Sequence, residues 1–170
     1  MIEPKLHRVA RFDRSGGAVF DDDLVYRYLL WRRWADGPLL TWIMLNPSTA
    51  DALEDDPTIR RVVGFSTAAG YAGCEVVNLW AYRATDPTDL KSAVEPSGPH
   101  NDSFLRRHIS GAPEVVVAWG ASVDGLGLPM PDILEMVGNT PMRCLGVTQS
   151  GQPRHPLYIK GATALEDWYP

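Results

Sequence analysis

Polar side chains suited to catalysis and ligand binding follow three apolar runs of this sequence. The first run is followed by Asn46, Ser48 and Asp51, the second by Asn78, and the last by His155. A carboxamide holds a donor and an acceptor in one plane, which suits it to orient water or to read the edge of a nucleobase. An imidazole can donate to charge that develops on a leaving group. These residue types indicate a candidate catalytic site.

The same residues are also compatible with structural turns. Asn, Pro and Ser favour turns for local backbone reasons, so Asn46-Pro47-Ser48 alone is as consistent with a turn as with a site. Asn78 could cap the end of a strand, and His155, which precedes a proline, could lie in a surface loop. The two interpretations differ in whether these side chains share one pocket.

Short apolar runs that alternate with helical segments indicate how these residues are positioned. The predicted strands are 39–45, 74–79, 114–119 and 143–147. The predicted helices begin at Asp56-Pro57, span about 99–109 and lie near 131–137. This alternation predicts a three-layer α/β sandwich with a mostly parallel central sheet. Because the carboxyl ends of parallel strands meet at one sheet edge, we expect Asn46, Asp51, Asn78 and His155 to line one pocket.

The 170 residues are predicted to form a single α/β domain, residues 1–170. Residues 1–36 alternate aromatic or aliphatic side chains with arginines, which predicts an antiparallel ribbon at an edge of the sheet. Residues 37–170 are predicted to form the core.

Cysteine usage and hydropathy favour a cytoplasmic protein. Cys74 and Cys144 begin separate apolar runs without metal-ligand spacing, so both are predicted to be reduced core residues. The segment 1–5 lacks the apolar stretch of a secretory signal, and no run approaches the ~18 residues needed to span a bilayer. We therefore expect no membrane association. No sequence pattern predicts the oligomeric state.

The sequence contains none of the common cofactor or nucleophile motifs. It has no nucleophile elbow, phosphate-binding Walker loop, dinucleotide-binding glycine motif or zinc-binding cysteine pattern. No cofactor and no metal are therefore predicted. The net charge of −5 argues against tight, sequence-independent binding to long duplex DNA. A local basic patch of Arg27, Arg32 and Arg33 could still contact nucleic acid.

Several segments resemble a bacterial family known only as a domain of unknown function. They are RYLLWRRW, IMLNPSTAD, VVNLWAYRATDP and GQPRHPLY, and the resemblance extends from about Tyr26 to Trp168. This resemblance implies a family but no activity.

The order of the strand motifs is also similar, more distantly, to the uracil-DNA glycosylase superfamily. IMLNPSTA resembles the motif whose Asn positions the hydrolytic water, which implies that role for Asn46. VVNLWAYRATDP resembles the strand whose terminal Asn reads the base, which implies that role for Asn78. GQPRHPLY resembles the motif whose His stabilises the departing base, which implies that role for His155. The resemblance also implies a glycosylase-like α/β sandwich with its site at the carboxyl ends of the central strands.

The chain departs from the glycosylase motifs at several positions. Leu45 and Ser48 replace two glycines of the first motif, and Leu157 replaces the Ser of the second. There is no cysteine set for an iron–sulfur cluster. The aromatic side chain that should stack on the base is not identifiable, with Phe65 and Tyr82 as candidates.

The leading functional hypothesis is a glycosylase-like hydrolase acting on the N-glycosidic bond of a nucleoside, nucleotide or nucleic-acid base. Its predicted catalytic residues are Asn46, Asp51 and His155. Its predicted substrate-binding residues are Pro47, Ser48, Asn78, Tyr82, Arg83 and Arg154. The expected partner is a nucleobase-containing small molecule or a nucleic acid. The alternatives are a non-catalytic nucleotide or nucleic-acid binding module of the same fold, and an unrelated α/β hydrolase or transferase using Asp51 with His155.

Overall fold

A computed structural model describes residues 5–13 and 15–170, which form a mixed α/β fold around one eight-stranded sheet. The strands are β1 (Leu6–Ala10), β2 (Gly16–Asp21), β3 (Arg27–Arg33), β4 (Leu39–Met44), β5 (Gly73–Asn78), β6 (Val115–Val117), β7 (Met142–Cys144) and β8 (Glu166–Asp167). The α-helices are α1 (Pro57–Ala68), α2 (Asn101–Ser110) and α3 (Ile133–Val137). Short 3-10 helices span Pro87–Ser92, Ala121–Gly125 and Pro156–Tyr158. The first four residues, on which the prediction about a secretory signal partly rests, lie outside the described residues.

The strand order across the sheet is β1-β2-β3-β5-β4-β6-β7-β8. The four predicted core strands are neighbours in one sheet, and the pairings β5–β4, β4–β6 and β6–β7 are parallel. The prediction of a mostly parallel sheet is wrong, because four of the seven pairings in the described chain are antiparallel. Three of these come from the N-terminal ribbon, whose strand β3 joins β5, and the fourth comes from β8 at the opposite edge.

Helices cover both faces of the sheet. Along β4, Leu40, Trp42 and Met44 pack on the face covered by α1, in a core that also holds Ile59, Val62 and Phe65. Ile43 points to the other face, where the core includes side chains of α2 and α3. This alternation places every second residue of the strand on the same face. The result is the expected sandwich of three layers.

Helix α1 begins where the sequence predicted. The carboxylate of Asp56 accepts a hydrogen bond from the Ile59 amide at 2.8 Å, and Pro57 occupies the first turn, where its missing N–H costs nothing. Within the described part of the chain, no helix is long and apolar enough to cross a membrane.

The chain direction around β4 creates a crevice. From β4 the chain passes through α1 to β5 on one side, and α2 then leads to β6 on the other side of β4. Connections that leave a central strand in opposite directions open a crevice at the carboxyl ends of the strands, where open α/β sheets bind ligands.

Candidate active site

A cavity of about 780 Å³ opens in this crevice. It is lined by residues that follow β4, β5, β6 and β7, by the first turn of α1 and by the start of β3. The volume lies within the range of small-molecule sites in proteins. The carboxyl-end location expected from the sequence therefore coincides with a cavity large enough for a nucleoside.

Five of the nine predicted site residues line this cavity: Asn46, Ser48, Asn78, Arg154 and His155. The other four, Pro47, Asp51, Tyr82 and Arg83, are not among the lining residues. Of the four side chains expected to converge, three do so, and Asp51 does not.

The carboxamide of Asn46 is held in one orientation directly after β4. Its Nδ2 donates to the carbonyl of Ala84 at 2.8 Å and to the carbonyl of Pro47 at 3.0 Å. Because both partners are acceptors, the nitrogen is fixed on that side and Oδ1 lies opposite. Oδ1 has no hydrogen bond within the described chain, so it can accept one from a ligand or a water molecule.

Asn78, at the end of β5, is 1% exposed and lines the cavity. Neither Nδ2 nor Oδ1 of its carboxamide has a hydrogen-bond partner. A buried amide left unpaired costs roughly 1–3 kcal/mol for each group. Unpaired buried atoms also occur at Tyr28, Asn101, Arg143 and Trp168, but of the residues with such atoms in the described chain only Asn78 and Arg27 line the cavity. An unpaired buried group at a cavity is a candidate contact for a ligand.

His155 is held at the cavity by the loop that follows β7. Hydrogen bonds from Gly120 N to the Pro153 carbonyl, at 2.8 Å, and from Arg154 N to the Gly146 carbonyl, at 2.9 Å, tie this loop to the strand ends. Gly120 has φ +77°, and a Cβ there would lie 3.1 Å from the Cβ of His155. The glycine at position 120 therefore allows the histidine to approach.

The imidazole of His155 is neutral, with a defined tautomer. Its Nδ1 accepts a hydrogen bond from the Leu157 amide at 3.2 Å, so the proton is on Nε2. Burial lowers the pKa of His155 below its ordinary value, and the nearby Asp56 opposes this only in part. At neutral pH the residue therefore presents an uncharged N–H donor.

Asp51 has a local structural role instead of lining the cavity. Its Oδ1 accepts hydrogen bonds from the amides of Leu53 and Glu54, both at 2.8 Å. These bonds lower the pKa of the Asp51 carboxyl. An Asp that binds amides two and three residues ahead shapes a turn.

Pro47, Tyr82 and Arg83 contact neighbouring loops. The Pro47 carbonyl accepts from Asn46 and from the Ala84 amide. Tyr82 packs edge-on against Tyr26, with ring centroids 6.1 Å apart. Arg83 donates to the carbonyls of Ser48 and Leu24 and lies over the ring of Phe20 at 5.1 Å. These contacts hold the loops around the cavity.

Asp56 is the only carboxylate among the described lining residues of the cavity. The sequence indicated it only as the N-cap of α1, and it does cap that helix. A charged side chain at a helix N-terminus that also faces a cavity can serve both the helix and a ligand. Asp56, and not Asp51, is therefore the carboxylate that lines the cavity.

Arg27 also lines the cavity, although the sequence suggested an exposed basic patch. The prediction of that patch is wrong. Arg27 and Arg32 are each 3% exposed, and of the three arginines only Arg33 is exposed. The pairing of β2 with β3 shifts register, with Val19 opposite Leu29 but Phe20 opposite Arg27. Such a bulge redirects side chains relative to simple alternation, which period-two reasoning cannot anticipate.

The aromatic side chains at the cavity are Trp119 and Tyr158. Trp119 is buried and donates from Nε1 to Gln152, whereas Tyr158 is 84% exposed beside the His155 ring. The two aromatic candidates named from the sequence lie elsewhere. Phe65 packs in the core against Trp42, and Tyr82 contacts Tyr26.

No group of three or more His, Cys, Asp or Glu side chains that could hold a metal ion occurs among the residues the structure describes. The polar groups at the cavity are instead hydroxyls, carboxamides, guanidinium groups, an imidazole and one carboxylate. These groups can orient water, read a planar ligand and stabilise a leaving group.

Comparison with protein families gives one match. The family described as protein of unknown function (DUF1643) matches residues 27–157, which is more than half of the chain. The chain belongs to the DUF1643 family. No curated protein and no solved structure matches it. The DUF1643 segment begins at Arg27 and contains all the cavity residues described above except Tyr158, which follows it directly.

Proposed function

We propose that this DUF1643 protein hydrolyses an N-glycosidic bond in a nucleobase-containing substrate. The observation that carries the proposal is the unpaired, buried carboxamide of Asn78 at a cavity that also receives the neutral imidazole of His155. A carboxamide can read the edge of a base, and a neutral N–H can stabilise the charge that forms when the base departs.

In the proposed reaction, a water oxygen forms a bond to the anomeric carbon of the sugar. The bond between that carbon and the base nitrogen breaks, and its electron pair moves onto the base. Nε2–H of His155 donates a hydrogen bond to the resulting anion. The proton lost by the water passes to Asp56 and is then available to the departing base.

Asn46 is proposed to orient the attacking water. Its Nδ2 is already used by two carbonyls, so Oδ1 is the atom that accepts from water. Asp56 is the carboxylate proposed to help activate that water, because it lines the cavity and Asp51 does not. This assignment argues against a mechanism based on Asp51 with His155.

The decisive experiment measures release of free base by the purified protein. A panel of nucleosides, nucleotides and base-modified oligonucleotides is incubated with wild-type protein and with His155→Asn, and products are separated by chromatography. Base release by wild type, strongly reduced in the variant, supports the proposal. Binding of the same compounds without base release by wild type would replace it with a nucleotide-binding function.

A further inference from the structure

Two arginines are equally buried in the ribbon, but only one is paired. Arg32 binds the carboxylate of Asp55 at 2.7 Å and donates to several carbonyls. Arg27 has no carboxylate within 4.0 Å in the described chain, although the charges of Asp56 and Asp51 favour its cation from farther away. The single hydrogen bond of its side chain runs from Nη1 to the Ala50 carbonyl at 2.7 Å. A buried cation without a paired anion is costly unless a ligand completes its contacts.

The unused side of the Arg27 guanidinium has a defined geometry. Nε has no hydrogen-bond partner, and no bond from Nη2 is formed within the described residues. Nε–H and Nη2–H together form the edge with which arginine binds two coplanar acceptors at once. Burial lowers the pKa of Arg27 to about 9, so the group remains charged at neutral pH.

The surroundings of this edge favour a flat ligand group over a phosphate. Met44, Ile59 and Val76, all less than 5% exposed, line the same cavity. Apolar walls suit the faces of a heterocycle, whereas a phosphate dianion needs donors on several sides. The unpaired carboxamide of Asn78 supplies a further donor and acceptor for the same flat group.

We propose that the site recognises a base with two adjacent, coplanar acceptors, which bind the Nε–Nη2 edge of Arg27. This inference rests on the proposed function and narrows its substrate class. Three kinds of base have such an edge: a 6-oxopurine, through O6 and N7, cytosine, through O2 and N3, and a pyrimidine that carries a carboxylate. Uracil and adenine do not, because their neighbouring polar groups alternate between acceptor and donor.

The first test changes the ligand and leaves the protein intact. Binding of inosine, 7-deazainosine, cytidine, orotidine, adenosine and uridine is measured by ligand-observed NMR, which also detects any released base. Tighter binding of inosine, weakened about 5- to 150-fold in 7-deazainosine, supports a 6-oxopurine. Preference for orotidine supports the carboxylated pyrimidine, and preference for cytidine supports cytosine. Equal binding of adenosine or uridine, or binding of none of the six, overturns the proposal.

The second test changes the arginine. Arg27→Lys keeps the charge but loses the two-donor edge, and it should weaken binding of the preferred nucleoside by a similar factor while adenosine and uridine change little. Arg33→Lys is the matched control, because Arg33 ends the same strand and is exposed. Equal weakening of all nucleosides by Arg27→Lys would overturn the proposal. If that variant does not fold, the comparison of inosine with 7-deazainosine on the wild-type protein still tests the proposal.

The two proposals fail in different ways. Selective binding through Arg27 without base release would contradict the proposed hydrolase function and support the proposed recognition of two adjacent acceptors. Base release from uridine or adenosine at a rate that Arg27→Lys does not change would support the hydrolase function and contradict the proposed recognition by Arg27.

Discussion

His155 and Leu157 are joined by a hydrogen bond in which the Leu157 amide donates to Nδ1 of the imidazole at 3.2 Å. This contact gives His155 two separable roles. Nδ1 caps the first turn of the 3-10 helix Pro156–Tyr158, and Nε2–H is the group proposed to contact the substrate. The two nitrogens can therefore be tested independently.

The first prediction separates these roles by substitution. His155→Asn keeps an acceptor near the position of Nδ1 but removes the Nε2 donor, so base release should fall about 10²–10³-fold with little loss of stability. His155→Gln places a donor near Nε2 but loses the cap, so it should retain more activity and melt at a lower temperature. Turnover and thermal unfolding of both variants are the measurements. Wild-type turnover in His155→Asn would contradict the assigned role.

The second prediction concerns pH. Burial lowers the pKa of His155 in the folded state, so the unfolded chain takes up the proton first as the pH falls below about 6.5. The free energy of unfolding should therefore decrease from about pH 6.5 downward until the lower folded-state pKa is passed, and it should be unaffected by this group above pH 7. Denaturant unfolding between pH 5 and 8 measures this. The difference in pH dependence between wild type and the non-titrating His155→Asn isolates the contribution.

The third prediction uses two buried asparagines as a matched pair. Asn78→Leu removes two unpaired polar groups, so it should leave the free energy of unfolding unchanged or raise it by about 1 kcal/mol, while base discrimination is lost. Asn101 is equally buried, but its Nδ2 donates to the carbonyls of Asn78 and Leu79. Asn101→Leu should therefore destabilise the fold by about 1–3 kcal/mol. Chemical denaturation of both variants gives the comparison, and strong destabilisation by Asn78→Leu would indicate a structural role.

The fourth prediction distinguishes the two acidic candidates. Asp56→Asn keeps a good helix N-cap but removes the carboxylate from the cavity, so base release should fall about 10²–10⁴-fold while α1 remains folded. Asp51→Asn keeps an acceptor for the Leu53 and Glu54 amides and should retain most activity. Turnover with circular dichroism on each variant checks both statements. The reverse order of activities would restore Asp51 as the catalytic carboxylate.

The fifth prediction concerns the cysteines. Cys74 and Cys144 are both free and buried, and burial raises the pKa of the Cys74 thiol to about 12. Because the thiolate is the reactive form, the native protein should react with a thiol reagent only as fast as it opens. In denaturant, both thiols should react immediately, because neither is buried any longer. Rapid labelling of the native protein would show that one of these side chains is accessible.

The local elements of the core follow from the sequence alone. Apolar runs too short for helices identify β4 to β7, and Asp56-Pro57 marks the start of α1 because capping depends on neighbouring residues only. The carboxyl-end location of Asn46, Asn78 and His155 follows from the same pattern, since parallel strands deliver their loops to one sheet edge. The matching family segment covers most of this core.

Tertiary structure alone determines the rest. The antiparallel pairing of β3 with β5 joins segments far apart in sequence, and no local pattern specifies it. The same pairing and the register shift at Phe20 bring Arg27 into the cavity, although its sequence neighbours suggest a surface patch. Asp51 and Asp56 are five residues apart and chemically identical. Both carboxylates accept from backbone amides, but only that of Asp56 also lines the cavity. The path of the loop between β4 and α1 decides this difference, and that path depends on packing against the ribbon.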